Sequence, residues 1–236
     1  MDTVLLLHGF AGTAGSWDAF SGHLDRERYR PLAVELRGHG QSGALRPISF
    51  DLCVEDLLAA APPRFTLAGY SLGGRIALQL ALSAPERIER LVLISTSAGI
   101  ADESERALRL GQDLTLADEI EAGPISQFAD AWLAGPLFAN DPPDVNDSAR
   151  SEIEKNSPAD LAAALRGLSI GRMESLWPRL SEIAAPTTIV AGRLDGRYVE
   201  LAERLRGAID GSELEVIDGV GHALPRSAPE RLAALF

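Results

Sequence analysis

The chain has one cysteine, Cys53, in 236 residues. A lone cysteine excludes an internal disulfide and any cysteine-rich metal site. It also fits a reducing compartment, so a cytoplasmic location is expected. No uninterrupted apolar run approaches the ~20 residues that a membrane-spanning helix needs. The first apolar run, Val4 to Leu7, stops at His8 and has no basic flank. It is too short for a signal-peptide core, and no signal peptide is expected. Positive charge is scarce: Lys and Arg total 22 against 34 Asp and Glu, a net charge of −12. That balance argues against nucleic acid or an anionic membrane as the main partner. Any anionic substrate must then be held by local arginines against an unfavourable overall field. Internal repeats and low-complexity tracts are absent, and nothing in the pattern specifies an oligomer.

What the chain does have is apolar residues, 46% of the total, enough for a large core. Short β-rich runs alternate with helix-like runs. The expected strands are Thr3–Leu7, Pro31–Glu35, Phe65–Ala68, Arg90–Ser95, Thr187–Ala191 and Glu213–Ile217. The expected helices include Phe50–Ala60, Leu72–Ser83, Tyr198–Ala208 and Ala228–Leu235. Buried parallel strands read as continuous apolar runs, as Val4–Leu7 and Leu91–Ile94 do. The order strand-helix-strand predicts an α/β fold built on a doubly wound, mostly parallel sheet. The alternation stops near Ser97 and resumes near Ala185. The stretch between is helix-like, charged and broken at Gly123-Pro124, Gly135-Pro136 and Asp141-Pro142-Pro143. It is too long for a plain loop. The expectation is a core of residues 1–96 and 185–236, with 97–184 inserted as a helical cap over the carboxyl ends of the strands.

The chemistry centres on Gly69-Tyr70-Ser71-Leu72-Gly73, between an expected strand and an expected helix. This is a nucleophile-elbow pattern: a serine on a sharp turn, with small residues where strand and helix approach. A nucleophilic serine needs a base, and the base needs an orienting carboxylate. Of the four histidines, His222 lies in a glycine-rich loop after the last strand, on the sheet edge where Ser71 sits. Asp195 follows the preceding strand in Gly192-Arg193-Leu194-Asp195. Asp218, nearer to His222 in sequence, is the competing acid or a turn-former. His8-Gly9-Phe10 follows the first strand, and its loop should supply an oxyanion donor. The backbone N–H groups of Phe10 and Leu72 are the expected pair. His39 should hold a loop and His23 should lie on the surface. No metal and no cofactor are called for.

From His8-Gly9-Phe10 to Gly221-His222 the chain resembles the α/β-hydrolase superfamily, whose order Ser71, Asp195, His222 it shares. Within it, several segments are similar to the MenH branch, the 2-succinyl-6-hydroxy-2,4-cyclohexadiene-1-carboxylate synthases of menaquinone biosynthesis. They are Gly69 to Arg75, Ser97 to Ile100 with Glu105 to Arg109, Trp132 to Phe138, and Leu165 to Leu168 with Ser175 to Trp177. The resemblance implies elimination of pyruvate from a succinyl-cyclohexene intermediate, with the triad abstracting a proton. It implies a small, carboxylate-bearing substrate held by cations. Arg75, one helical turn after Ser71, and Arg109 are the candidates, with Tyr70 and Trp132 as lining residues. An ordinary ion pair is the competing role for either arginine, with Glu103 and Glu105 near Arg109, and packing is the competing role for Trp132. The chain departs from the branch at three places. Lys155 stands where an arginine is usual, Ser169-Ile170-Gly171 replaces Gly-Thr-Gly, and Ala223-Leu224-Pro225 follows the histidine. Ester hydrolysis through an acyl-enzyme is therefore the second expectation. A non-catalytic ligand-binding protein is the third.

Overall fold

A computed structural model of the chain describes residues 1–236. Six strands form one sheet: β1 Asp2–Leu7, β2 Tyr29–Val34, β3 Phe65–Tyr70, β4 Ile88–Ile94, β5 Thr187–Gly192 and β6 Glu213–Ile217. Every expected strand is present, with ends shifted by at most two residues. The order is β2-β1-β3-β4-β5-β6 and all five pairings are parallel. The chain reverses direction of winding at β1, so the loops after β1 and β3 leave neighbouring strand ends. That crevice is where ligands bind in open α/β sheets.

The ten helices are α1 Asp18–His23, α2 Phe50–Ala60, α3 Leu72–Ser83, α4 Glu103–Ala122, α5 Ile125–Leu133, α6 Pro143–Ile153, α7 Pro158–Leu168, α8 Gly196–Ala208, α9 Leu224–Ser227 and α10 Pro229–Ala233. The bounds expected for α2 and α3 match the structure. Helix α8 begins two residues early because the Asp195 side chain caps it, accepting from the Tyr198 amide. The expected Ala228–Leu235 helix is shorter and follows the single turn of α9.

Strand alternation sends side chains to two cores. Leu5, Leu7, Leu67, Leu91 and Leu93 pack with α2, α3 and α8 on one face. Val4, Leu6, Ala68, Val92 and Ile94 pack with Phe20, Leu224 and Leu232 of α1, α9 and α10 on the other. Both faces are covered, which is why the strands read as unbroken apolar runs. Each leucine fully buried here contributes about 1.5–3 kcal/mol of hydrophobic free energy. Helices α4 to α7 lie between β4 and β5 and share a third cluster that includes Ile120, Phe128, Leu133, Ile153 and Leu161. Ala11 and Ala223 of the sheet loops join it, so these helices sit on the strand ends that carry the candidate site. No helix is long and apolar enough to cross a membrane.

Candidate active site

Ser71 joins β3 to α3 with φ 53° and ψ −110°. A non-glycine residue held there stores strain of about 1–3 kcal/mol, and the surroundings must enforce it. They do so through its own backbone. Its N–H donates to Ile94 O at 2.9 Å, and its carbonyl accepts from the Thr96 hydroxyl at 2.8 Å and the Gly74 amide at 3.1 Å. The glycines allow the approach. A Cβ on Gly69 would collide with the Gly73 backbone, and one on Gly73 would stand 2.6 Å from the Leu7 carbonyl carbon. Strand β1, strand β3 and helix α3 are therefore in backbone contact at this point.

The turn aims the Ser71 hydroxyl at His222. Ser71 Oγ lies 3.2 Å from His222 Nε2, and His222 Nδ1 lies 2.7 Å from Asp195 Oδ2. The three side chains come from the ends of β3, β5 and β6. Asp218 does not compete: its carboxylate points outward and pairs with Arg193 at 3.0 Å. His222 is buried against the rings of Tyr198, Tyr70 and Phe138, at 4.5, 5.3 and 5.9 Å between centroids. Burial lowers its pKa from the ordinary value. The hydrogen bond and charge of Asp195 oppose that, and Arg75 adds to it. The imidazole is thus neutral at physiological pH and free to accept a proton at Nε2.

The loop after β1 runs against the elbow. A Cβ on Gly9 would stand 2.8 Å from the Tyr70 ring and 3.4 Å from Ser71 Cβ. The Phe10 amide has no backbone acceptor among the loop hydrogen bonds, and Leu72, as the first residue of α3, has no helical one. Two histidines hold this loop from beneath. His8 Nδ1 donates to Gly9 O at 2.8 Å while Nε2 accepts from the Leu36 amide at 3.1 Å. His39 Nδ1 donates to Arg37 O at 3.1 Å while Nε2 accepts from the Ala11 amide at 3.2 Å. Burial drives their pKa values down to about 3 and about 4. Neither touches the triad, and His23 is exposed.

Arg75, one turn into α3, takes part in no ion pair. Burial pushes it down to about 10, with the nearby charge of Arg109 in the same direction, so it stays cationic at neutral pH. Its field is felt at His222. Arg109 is near Arg75 but is partly engaged: its Nε donates to Asp113 Oδ1 at 2.8 Å. The partner is Asp113, one turn on, and not Glu103 or Glu105. The other oxygen of Asp113 accepts from Ser169 at 2.7 Å. Trp132 stacks with Phe128 and meets Phe10 and Phe138 edge-on or tilted. Tyr70 is buried, and burial raises its pKa well above the ordinary value, so it remains a donor. Lys155 is spent on Glu152 at 2.6 Å. No group of three metal-ligating side chains is gathered anywhere. A larger groove of about 1440 Å³ between α2, α3 and α7 contains none of the triad.

Sequence reasoning missed Tyr198, Thr96 and Arg226, which lines a small cavity beside the Phe10 loop, and it weighed Phe138 only as a packing residue. Only Arg226 had a usable signal: it follows His222 by four residues, as Arg75 follows Ser71.

A model of the alpha/beta hydrolase family matches residues 4–235. The chain belongs to that family. It is similar to the putative 2-succinyl-6-hydroxy-2,4-cyclohexadiene-1-carboxylate synthase of Bacillus subtilis, 30% identical over 97% of this chain and 86% of that protein. The structure of MenH from S. aureus superposes with a TM-score of 0.92 at 29% identity, covering 99% of this chain and 91% of that one. The pimeloyl-[acyl-carrier protein] methyl ester esterase of Nitrosomonas europaea is 29% identical over 99% of this chain and 93% of that protein.

Proposed function

We propose that this chain is a synthase of the MenH type, eliminating pyruvate from a succinyl-hydroxycyclohexadiene-carboxylate precursor in menaquinone biosynthesis. The observation that carries the reading is an unpaired guanidinium, Arg75, one turn from Ser71 and within electrostatic reach of His222. A cation held there without an ion-pair partner suits a substrate that carries negative charge near its reacting carbon. Full-length similarity to the B. subtilis and S. aureus proteins supports the same choice.

In this reading His222 Nε2 takes the Ser71 proton, and the serine oxygen removes a proton from a substrate carbon. The electron pair left behind forms a new double bond and expels the enolate of pyruvate, which takes up the proton held on His222 Nε2, leaves as pyruvate and returns the imidazole to its neutral form. Asp195 fixes the Nδ1–H tautomer and stabilises the imidazolium as it forms. The Phe10 and Leu72 amides hold the oxygen on which negative charge builds, each such donor being worth about 2.7–4 kcal/mol in comparable sites. Arg75 and Arg109 grip substrate carboxylates, whose planar geometry suits a guanidinium. Tyr70 and Trp132 line the space. Helices α4 to α7, within residues 97–184, act as the cap that excludes water. Cys53, buried in α2, takes no part, and a reducing cytoplasm suits it.

Incubation with the enolpyruvyl-bearing intermediate should release pyruvate, read by coupled reduction to lactate, and Ser71→Ala should abolish the release. No pyruvate from the wild type at high enzyme concentration refutes the synthase. The second reading, an esterase, rests on the same triad and oxyanion donors and on similarity to the N. europaea esterase. A rapid burst with p-nitrophenyl esters, in the absence of pyruvate release, would select it.

A further inference from the structure

One charged group beside the triad has no role in the chemistry above. Arg226, on α9 and four residues after His222, donates from Nη2 to Ser16 Oγ at 2.7 Å. That is the only hydrogen bond in which its side chain takes part, and it enters no ion pair. A guanidinium carries five N–H donors, so most of its capacity is unused. It is partly buried, where an unpaired charge is costly without an acceptor. The space it faces is a cavity of about 30 Å³, also lined by Gly9, Phe10, Tyr70, Trp132 and Phe138. That is the volume of one water, or of the tip of a small polar group. Gly9 and Phe10 belong to the loop against the elbow and Tyr70 precedes Ser71, so the cavity adjoins the nucleophile.

The neighbouring acids leave this cation available. Glu152 is engaged by the Thr13 hydroxyl and by Lys155. Asp141 is buried beside the Ala223 backbone amide, and it lies outside ion-pair distance of Arg226. The surroundings of Arg226 are also distinct from those of Arg75. Arg75 senses Tyr198, Arg109 and Asp113, whereas Arg226 senses Tyr70, Glu152 and Asp141. The two cations occupy separate neighbourhoods around one reacting pair.

We propose that Arg226 forms a second anion-binding position beside the Phe10 loop, taking one carboxylate while Arg75 takes another, so that the site selects substrates anionic at two separated points. The proposal rests on reading Ser71 and His222 as the reacting centre, but not on pyruvate elimination.

Calorimetric titration with succinate, and with succinamide as its uncharged counterpart, tests it. Wild type should bind succinate and bind succinamide far more weakly. Arg226→Met should weaken succinate binding on the order of tenfold or more, the loss expected of a charged hydrogen bond. Arg226→Lys should recover part of it, and Arg75→Met should weaken binding independently. Ser16→Ala separates binding from bracing, because it removes only the internal partner. Near-wild-type affinity in Ser16→Ala supports an anion contact, and a loss equal to that of Arg226→Met overturns it. Folded Arg226→Met with wild-type affinity overturns it too, as does a wild type that fails to prefer succinate. Should Arg226→Met not fold, Arg226→Lys and Ser16→Ala still decide. Succinate binding that needs Arg226 in a protein releasing no pyruvate would sink the synthase reading and leave this one standing.

Discussion

Replacing Asp195 with asparagine separates the triad's electrostatics from its architecture. Asp195 divides its two oxygens: Oδ2 accepts from His222 Nδ1 at 2.7 Å, and Oδ1 accepts from the Tyr198 amide at 3.4 Å to cap α8. Asparagine has one oxygen. If that oxygen keeps the cap, the amide NH₂ faces His222 Nδ1, and the imidazole must carry its proton on Nε2, toward Ser71. That tautomer cannot accept the serine proton, and comparable triads lose about 10⁴-fold in kcat. If the oxygen stays with His222, the lost charge still costs the difference between a charged and a neutral hydrogen bond, roughly 1–1.5 kcal/mol or about tenfold. The amide then abandons the weaker cap. The 3.4 Å capping bond is the poorer of the two, yet a free NH₂ beside Tyr198 N–H is repulsive, so we expect a loss of about 10²- to 10⁴-fold in kcat. Stability should change little, since asparagine caps helices about as well as aspartate. The pH profile gives a second readout. His222 must be neutral to act, so kcat/KM falls below its pKa, which burial places under 6.5. Both influences that raise that pKa come from Asp195, so Asp195→Asn moves the acid limb to lower pH. Steady-state pyruvate release from pH 4.5 to 8, with melting temperatures alongside, reads both quantities. A folded Asp195→Asn protein losing less than tenfold, or an acid limb that moves up, refutes the assignment. Asp218→Asn is the control and should stay within about twofold, because its carboxylate is 78% exposed and tied to Arg193.

Arg75→Met should raise KM on the order of tenfold or more for a carboxylate-bearing substrate and hardly at all for a neutral p-nitrophenyl ester; equal effects on both contradict the clamp. Gly73→Ala should destabilise by roughly 1–3 kcal/mol through overpacking against Leu7, lowering the melting temperature by roughly 3–10 °C; an unchanged melting curve would mean that β1 can move away from α3. Folding stability should fall between pH 6.5 and about 4, as denaturant midpoints can show. His8, His39 and His222 all hold folded-state pKa values below the unfolded value, so on acidification the unfolded chain binds protons at these three positions before the native state does. Asp141, raised to about 6, opposes this with one proton. A midpoint that is flat or rises on acidification would show that these histidines are not held neutral.

Much of the fold and part of the site were legible in the chain. Strands buried on both faces must be apolar throughout, so Val4–Leu7 and Leu91–Ile94 marked themselves. A serine between two close backbone segments must have glycines at fixed offsets, so Gly69 and Gly73 marked the turn at Ser71. Chain order then placed Asp195 and His222 at neighbouring strand ends. These features follow from backbone geometry and local periodicity, which a sequence carries directly. Side-chain partnerships across the fold are of another kind. Asp195 and Asp218 both precede His222 in sequence, and only packing aims one inward and the other at Arg193. Arg109 had several acids within reach along α4, and the helix face chose Asp113. Ser16 and Arg226 meet across 210 residues, and Phe138 reaches His222 from the turn between α5 and α6. Whether a charge is spent or available depends on such distant neighbours. Sequence alone therefore determined where the elbow serine stands; the tertiary structure decided which acid pairs with His222 and which arginines remain without an ion-pair partner.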